Sequence, residues 1–154
     1  MYFRTIIAAV TLIVLTQCVV SQNNNKSIAV TIDDLPLNIA SQVSNNEMRA
    51  IVERLLEKIT EEKTPVTAFV NENKLEVNKR RDPERVAILK LWLDAGVDLG
   101  NHTYAHKSQN QISVSDAKED ILRGERTTKE LLAANKLKLK YFRHPFLHTG
   151  RDST

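Results

Sequence analysis

The stretch "VDLGNHTYAH", residues 97–106, joins a short apolar run to two histidines four residues apart. The chain has only 4 histidines among 154 residues, so this stretch holds half of them. Residues 97–101 predict a β-strand, and the spacing of His102 and His106 suits one helical turn directly after it. Such a pair can bind one metal ion if a third ligand comes from elsewhere. The alternative is a solvated loop with no ligand.

Outward from this stretch, the sequence predicts strands that alternate with helices. The expected strands are 27–33, 65–71, 97–101 and 139–145, and the expected helices are 44–63, 82–96 and 113–135. The β-branched first strand is expected to be buried on both faces. The order β-α-β-α-β-α-β predicts parallel strands joined by right-handed helical crossovers.

The expected helices carry start signals, stop signals and apolar faces. Ser44 and Glu47 form a capping-box pattern, Pro83 follows Asp82 at the start of the second helix, and Gly96 ends it. In the first helix an apolar stripe recurs at helical spacing: Met48, Ile51, Val52, Leu55, Leu56 and Ile59. The inner side of the third helix is expected to carry Ala117, Ile121, Gly124, Thr128 and Leu131.

Polar side chains follow each expected strand at its carboxyl end, where parallel α/β folds collect ligands. They are Asp33-Asp34, Asn71, Asn101-His102 and Arg143-His144. Asp34 is a candidate third metal ligand, because two histidines and one carboxylate leave open positions for water and substrate. Adjacent aspartate side chains diverge, so Asp33 is free to act on the water as a base.

Three motifs carry a family resemblance. "TIDD" at 31–34, "HTYAH" at 102–106 and "FRHPF" at 142–146 resemble, in order and spacing, the first three motifs of the polysaccharide deacetylases. These are the NodB-homology domains of carbohydrate esterase family 4. The resemblance runs from about residue 28 to the end of the chain. It implies an α/β fold in which parallel β/α units form part of a distorted (β/α) barrel, truncated after about four strands.

The resemblance also implies an activity and roles for individual residues. The activity is metal-dependent hydrolysis of acetyl groups on N-acetylated or O-acetylated polysaccharide, and the cofactor is a divalent metal, usually zinc. Asp34, His102 and His106 would bind the metal. Asp33 would be the general base, and Arg143 would orient it and hold it ionised.

The family pattern extends to the substrate groove, where this sequence also departs from it. Pro145 and Phe146 would form part of the groove wall, and the Thr103 hydroxyl would brace the loop between the histidines. Leu35-Pro36 stands where the family's first motif ends in glycine. Two later family motifs, one of which supplies a histidine general acid, do not occur before Thr154. We therefore expect little activity from these 154 residues alone. The alternative function is a fragmentary domain that binds metal or glycan without turnover.

The first residues predict export. Residues 1–21 have the charged, apolar and small-residue order of a signal peptide, 22–26 form a polar linker, and 27–154 form the N-terminal portion of the catalytic domain. Lipidation of Cys18 and an uncleaved anchor are the alternatives. Cleavage after Ser21 would remove Cys18, the only cysteine, and would leave no stable membrane span and no disulfide. The location would be periplasmic, cell-envelope or secreted.

The distribution of charge argues against a nucleic-acid partner. The net charge is +3, with 22 basic and 19 acidic residues mixed along the chain. The only basic cluster, residues 79–81, is followed at once by Asp82 and Glu84. Nucleic-acid binding would need a broader basic face. The expected partner is therefore the one the resemblance implies, an acetylated polysaccharide or oligosaccharide.

Overall fold

A computed structural model of the chain describes residues 26–150. The predicted signal peptide, its lipidation alternative at Cys18 and nearly all of the predicted linker lie outside the described residues. Within residues 26–150, no helix has the length and apolar character needed to cross a bilayer.

Strands and helices alternate along the described chain. The strands are β1 (Val30–Leu35), β2 (Val66–Val70), β3 (Glu76–Val77), β4 (Arg80–Arg81) and β5 (Asp98–Asn101). The helices are α1 (Asn45–Glu61), α2 (Pro83–Asp94), α3 (Val114–Arg123) and α4 (Arg126–Ala134), with 3₁₀ turns at Glu72–Leu75 and Pro145–Leu147. β1, β2 and β5 form a parallel sheet in that order, which confirms the predicted fold class. The short antiparallel β3–β4 hairpin was not predicted.

The predicted helix boundaries at α1 and α2 are confirmed. Ser44 and Glu47 make the reciprocal bonds of a capping box at the start of α1. The Asp82 carboxylate accepts a bond from the Arg85 N–H at the start of α2. Gly96, with φ of +83°, follows the end of α2 in the left-handed region that glycine adopts without strain.

One apolar core joins the helices to the sheet. The side chains of α1 and α2 that enter it include Met48, Val52, Leu56, Ile88, Leu89 and Trp92, and the strands add Ala68, Val70 and Leu99. The apolar stripe of α1 is narrower than predicted, because Ile51 and Leu55 are 40% and 37% exposed. Phe69 is buried but lies outside this cluster, so β2 has buried side chains on both faces.

The expected burial of the first strand on both faces is wrong. Most of β1 is at least partly exposed, and Val30 at its start is 39% exposed. Among the described residues, β1 pairs only with β2 and forms an edge of the sheet. β1 also extends to Leu35, two residues beyond the predicted end.

Two further expectations need correction. The expected helix 113–135 is two helices, α3 and α4, because Gly124 is pressed against a neighbouring loop and α3 ends there. The expected fourth strand, 139–145, is reduced to one bridge between Asn101 and Phe142, flanked by two backbone hydrogen bonds. Within residues 26–150, nothing pairs with the other edge of that segment, so no continuous strand forms.

Candidate metal centre

Asp34, His102 and His106 converge at the carboxyl ends of β1 and β5. One ligand atom from each lies within 4.8 Å of the others, and His106 Nε2 lies 3.6 Å from Asp34 Oδ1. Asp34 Oδ1 is buried and has no hydrogen bond. Two imidazole nitrogens and one carboxylate oxygen are a donor set that zinc and similar divalent ions accept. A buried oxygen without a hydrogen bond among such donors fits a metal ligand.

The orientation of His102 is fixed by the third motif. His102 is 2% exposed, and its Nδ1 lies 2.8 Å from the Arg143 carbonyl oxygen. A carbonyl only accepts, so Nδ1 carries the proton and Nε2 keeps its lone pair. Burial lowers the pKa of His102, although the Arg143 carbonyl and the Asp33 carboxylate oppose that shift. The neutral ring is the form that metals bind.

The loop between the two histidines, residues 102–106, is not the helical turn that the spacing suggested. Thr103 and His106 have φ of 66° and 53°, in the left-handed region that side chains usually avoid. The Thr103 hydroxyl accepts a bond from the His106 N–H at 3.1 Å, which is the bracing contact the resemblance implied. Strained backbone of this kind persists only where surrounding contacts hold it.

Asp33 lies between Arg143 and the candidate ligand His102, and it bonds to Arg143. One Arg143 nitrogen lies 2.9 Å from Asp33 Oδ1 and 2.9 Å from the Thr31 hydroxyl. Thr31 and Asp33 share a face of β1 because they are two residues apart. The Arg143 guanidinium also stacks over the Phe69 ring, 4.3 Å from its centre. The second Asp33 oxygen lies 4.0 Å from His102 Nε2. The two aspartates therefore diverge, as their adjacency predicts.

Of the predicted groove residues, Phe146 lies beside a candidate ligand, and Pro145 directly precedes it. Pro145 is buried at the start of its 3₁₀ turn, and Phe146 is 59% exposed. The Phe146 ring is centred 4.6 Å from the His106 ring. An exposed aromatic face therefore borders the candidate metal centre.

Sequence reasoning missed Lys74 and left Asn71 without an assigned role. Lys74 Nζ lies 3.7 Å from Asp34 Oδ1 and donates to the Asn38 carbonyl at 3.0 Å. Burial lowers the pKa of Lys74, and the Asp34 carboxylate opposes that shift. Asn71 is fully buried and donates to the His102 carbonyl at 2.5 Å. The polar run "NENK" at 71–74 gives no signal that these side chains turn inward.

The structure is an α/β domain whose parallel sheet brings an aspartate pair, two histidines and an arginine to its carboxyl edge, where a metal could bind. The family model described as polysaccharide deacetylase matches residues 21–154, and the chain belongs to that family.

Solved structures agree on the fold. The chain is 21% identical to a peptidoglycan deacetylase from Bacillus subtilis, with a TM-score of 0.59 over 81% of this chain and 52% of that one. It is 24% identical to a chitin deacetylase from Colletotrichum lindemuthianum, with a TM-score of 0.56 over 78% and 46%. A family 4 carbohydrate esterase pseudoenzyme from Bacillus anthracis is 20% identical, with a TM-score of 0.60 over 83% and 38%. The chain thus spans about half or less of each structure, and no curated protein matches it.

Proposed function

We propose that this chain carries the metal-binding and general-base part of a hydrolase that removes acetyl groups from polysaccharide. The observation behind the proposal is the convergence of Asp34, His102 and His106 within 4.8 Å, next to the Asp33–Arg143 pair. The polysaccharide deacetylase family supplies the substrate class.

Asp34, His102 and His106 would hold a divalent metal, and this donor set favours zinc. When bound, such an ion polarises the acetyl carbonyl and lowers the pKa of water. His102 presents Nε2 because its Nδ1 is bonded to the Arg143 carbonyl. Asp34 offers a buried oxygen that has no competing hydrogen bond.

Asp33 would accept the proton from the attacking water. Its Oδ1 is bonded to Arg143 at 2.9 Å, so the second oxygen, 4.0 Å from His102 Nε2, is the one free to take a proton. Arg143 itself is held on two further sides, by the Thr31 hydroxyl and the Phe69 ring. This anchoring fixes the direction in which the base points, which proton transfer requires.

The acetylated sugar would lie against Phe146. This ring is 59% exposed and borders His106, and sugar rings stack on exposed aromatic faces in many glycan sites. The similar structures act on different glycans, peptidoglycan in one and chitin in another. The proposal is therefore limited to acetylated polysaccharide or oligosaccharide as a class.

The test compares Asp33→Asn with the unsubstituted protein, each in a chain that also includes the family's two later motifs, because little activity is expected from residues 1–154 alone. Both proteins are loaded with Zn²⁺, and acetate release from an acetylated chito-oligomer and from peptidoglycan is measured. An amide cannot accept the proton, so we expect the variant to lose on the order of 10²–10⁴-fold in rate while it keeps its metal. Undiminished acetate release by Asp33→Asn would refute the assignment of the base.

A second function is kept because one of the similar structures is a pseudoenzyme. In that case the wild-type chain would bind Zn²⁺ or the chito-oligomer and release no acetate. Measuring metal content and glycan binding together with acetate release on the same sample separates the two functions.

A further inference from the structure

Every backbone N–H from His102 to His106 is hydrogen-bonded, although these residues form neither a helix nor a sheet ladder. The His102 N–H donates to the Val70 carbonyl at 3.0 Å, and the Thr103 N–H donates to the Asn101 side chain at 2.7 Å. The Tyr104, Ala105 and His106 N–H groups find partners at 3.0, 3.0 and 3.1 Å. An irregular loop with five satisfied donors is fixed by its acceptors, so these acceptors determine where the histidines lie.

One residue, Asp120 on α3, supplies two of those acceptors. Its carbonyl oxygen accepts from the Tyr104 N–H, and its carboxylate Oδ1 accepts from the Ala105 N–H. Tyr104 and Ala105 lie between the two candidate ligands. Asp120 therefore holds two of the four peptide units that link His102 to His106.

The position of Asp120 is itself fixed against the sheet. The Asn101 side chain donates to the Ile121 carbonyl at 2.9 Å, which ties α3 to the end of β5. At Gly124 a Cβ atom would come within 2.3 Å of the Thr103 carbonyl carbon, so the helix end and the loop are in backbone contact. α3 is thus a rigid support for the loop.

Burial of the Asp120 carboxylate costs stability, which a purely structural role does not explain. It is 8% exposed, and its second oxygen, Oδ2, is buried without a hydrogen bond among the described residues. A buried carboxylate with one unsatisfied oxygen destabilises a fold unless its other contacts need it. Here the contact that requires the Asp120 carboxylate is the hydrogen bond from the Ala105 N–H, and Ala105 directly precedes His106.

We propose that Asp120 is a positioning residue for the metal centre: by accepting from the Ala105 N–H it holds His106 in the left-handed conformation that faces Asp34. This inference rests on the proposed function, because it assigns Asp120 to the same metal site. Asp120 is not a ligand, and it acts only through the backbone of the loop.

The first measurement needs no metal. Amide hydrogen exchange at Ala105 is compared in the metal-free wild-type chain and in Asp120→Ala, Asp120→Asn and Glu119→Ala. Loss of the acceptor is expected to raise the exchange rate at Ala105 by about 10-fold or more in Asp120→Ala. Asp120→Asn retains a side-chain oxygen and should stay near the wild-type rate. Glu119→Ala removes an exposed acid from the same helix and should change nothing.

The second measurement is metal binding by the same four proteins. Competition with a chromophoric chelator gives the Zn²⁺ affinity, and the Co²⁺ absorption spectrum reports the ligand geometry. We expect Asp120→Ala to bind Zn²⁺ about 10–100-fold more weakly with an altered Co²⁺ spectrum, as outer-shell substitutions do. Asp120→Asn should restore both. If Asp120→Ala does not fold, Asp120→Leu removes the acceptor and refills the space.

Three results would overturn the inference in different ways. Wild-type affinity and spectrum in Asp120→Ala would reject the positioning role while the metal site stands. A wild-type chain that binds no Zn²⁺ would reject the metal site and the positioning role with it. A folded Asp120→Asn that binds as weakly as Asp120→Ala would also reject the mechanism, because it would show that acceptance from Ala105 is not what matters.

Discussion

Two irregular segments meet at the carboxyl edge of the sheet, and they are built differently. In the loop 102–106 all five N–H groups are bonded, and His102 and Thr103 are 2% and 0% exposed. The segment 142–148 has one sheet bridge, and its Phe146 and Leu147 are 59% and 74% exposed. The candidate ligands His102 and His106 therefore lie on a hydrogen-bonded and partly buried loop, whereas the candidate substrate-binding side chain of Phe146 is exposed to solvent.

The later part of the segment 142–148, residues 144–148, contacts the side chains of Ser108 and Gln109. His148 Nδ1 lies 2.9 Å from the Ser108 hydroxyl, and His144 Nδ1 lies 2.5 Å from the Gln109 side-chain oxygen. Partly exposed polar contacts of this kind contribute less than buried backbone bonds, because water competes for the same groups. We therefore expect substitutions in the loop to change stability and metal binding, and substitutions of the exposed side chains Phe146 and Leu147 to change neither.

The largest effect on stability is expected for Gly124→Ala. The added methyl would lie 2.3 Å from the Thr103 carbonyl carbon, so α3 must move away from the metal loop. We expect a loss of about 1–3 kcal/mol in the free energy of unfolding, together with weaker Zn²⁺ binding. Urea unfolding and chelator competition measure the two quantities.

Gly96→Ala is the matched control for that substitution. At Gly96 a Cβ atom meets nothing within 4 Å, and only the φ of +83° makes alanine unfavourable. The variant should lose about 1–2 kcal/mol from backbone strain and keep wild-type Zn²⁺ affinity. If the two glycine variants bind Zn²⁺ with equal affinity, the contact between α3 and the loop 102–106 does not affect the candidate metal centre.

A smaller effect is expected from pH on the metal-free chain. The pKa of His102 is lowered by burial from its ordinary value of 6.5. Just below that pH the unfolded chain binds more protons at His102 than the folded chain does, so stability falls as pH is lowered. The loss begins near the unfolded value and levels off below the folded one.

Urea unfolding of the metal-free chain between about pH 5 and pH 8 measures this dependence. His102→Gln should have a flatter profile than the wild-type chain, because the titrating ring is gone. If the free energy of unfolding of His102→Gln depends on pH as that of the wild-type chain does, other titratable groups cause the dependence.

The smallest effect is expected for Phe146→Ala. The ring is mostly exposed, and its contacts are with the neighbouring rings of His106 and His148. We expect the free energy of unfolding to change by less than about 0.5 kcal/mol and the Zn²⁺ affinity to stay the same, while acetylated chito-oligomer binds more weakly. Calorimetric titration with the oligomer checks this. A large loss of stability or of Zn²⁺ affinity would mean that the Phe146 ring supports the metal centre.

Local rules were sufficient for the parts of the fold that local chemistry controls. Ser44, Glu47 and Asp82 cap the helices they were expected to cap, and the alternation of elements predicted the parallel sheet. The motif residues could be named in advance as well, because parallel strands bring their carboxyl ends to one edge whatever the details of the loops.

The rest depends on tertiary contacts that no local pattern encodes. The spacing of His102 and His106 predicted a helical turn, but the loop takes left-handed residues because Asp120 and Asn101 accept its N–H groups. The pattern of 113–135 is helical throughout, yet it is divided where Gly124 meets Thr103. Both outcomes depend on which distant acceptor or backbone lies opposite, which sequence spacing does not specify.

The most direct test of this account is a calorimetric titration of the metal-free chain with Zn²⁺, run in parallel on His102→Ala. The three ligand atoms converge on one point, so the wild-type chain should bind one ion. Removal of one of the three ligands should weaken binding by more than about 100-fold, beyond the range of outer-shell changes. Equal Zn²⁺ binding by the wild-type chain and His102→Ala would contradict the assignment of Asp34, His102 and His106 as one metal site.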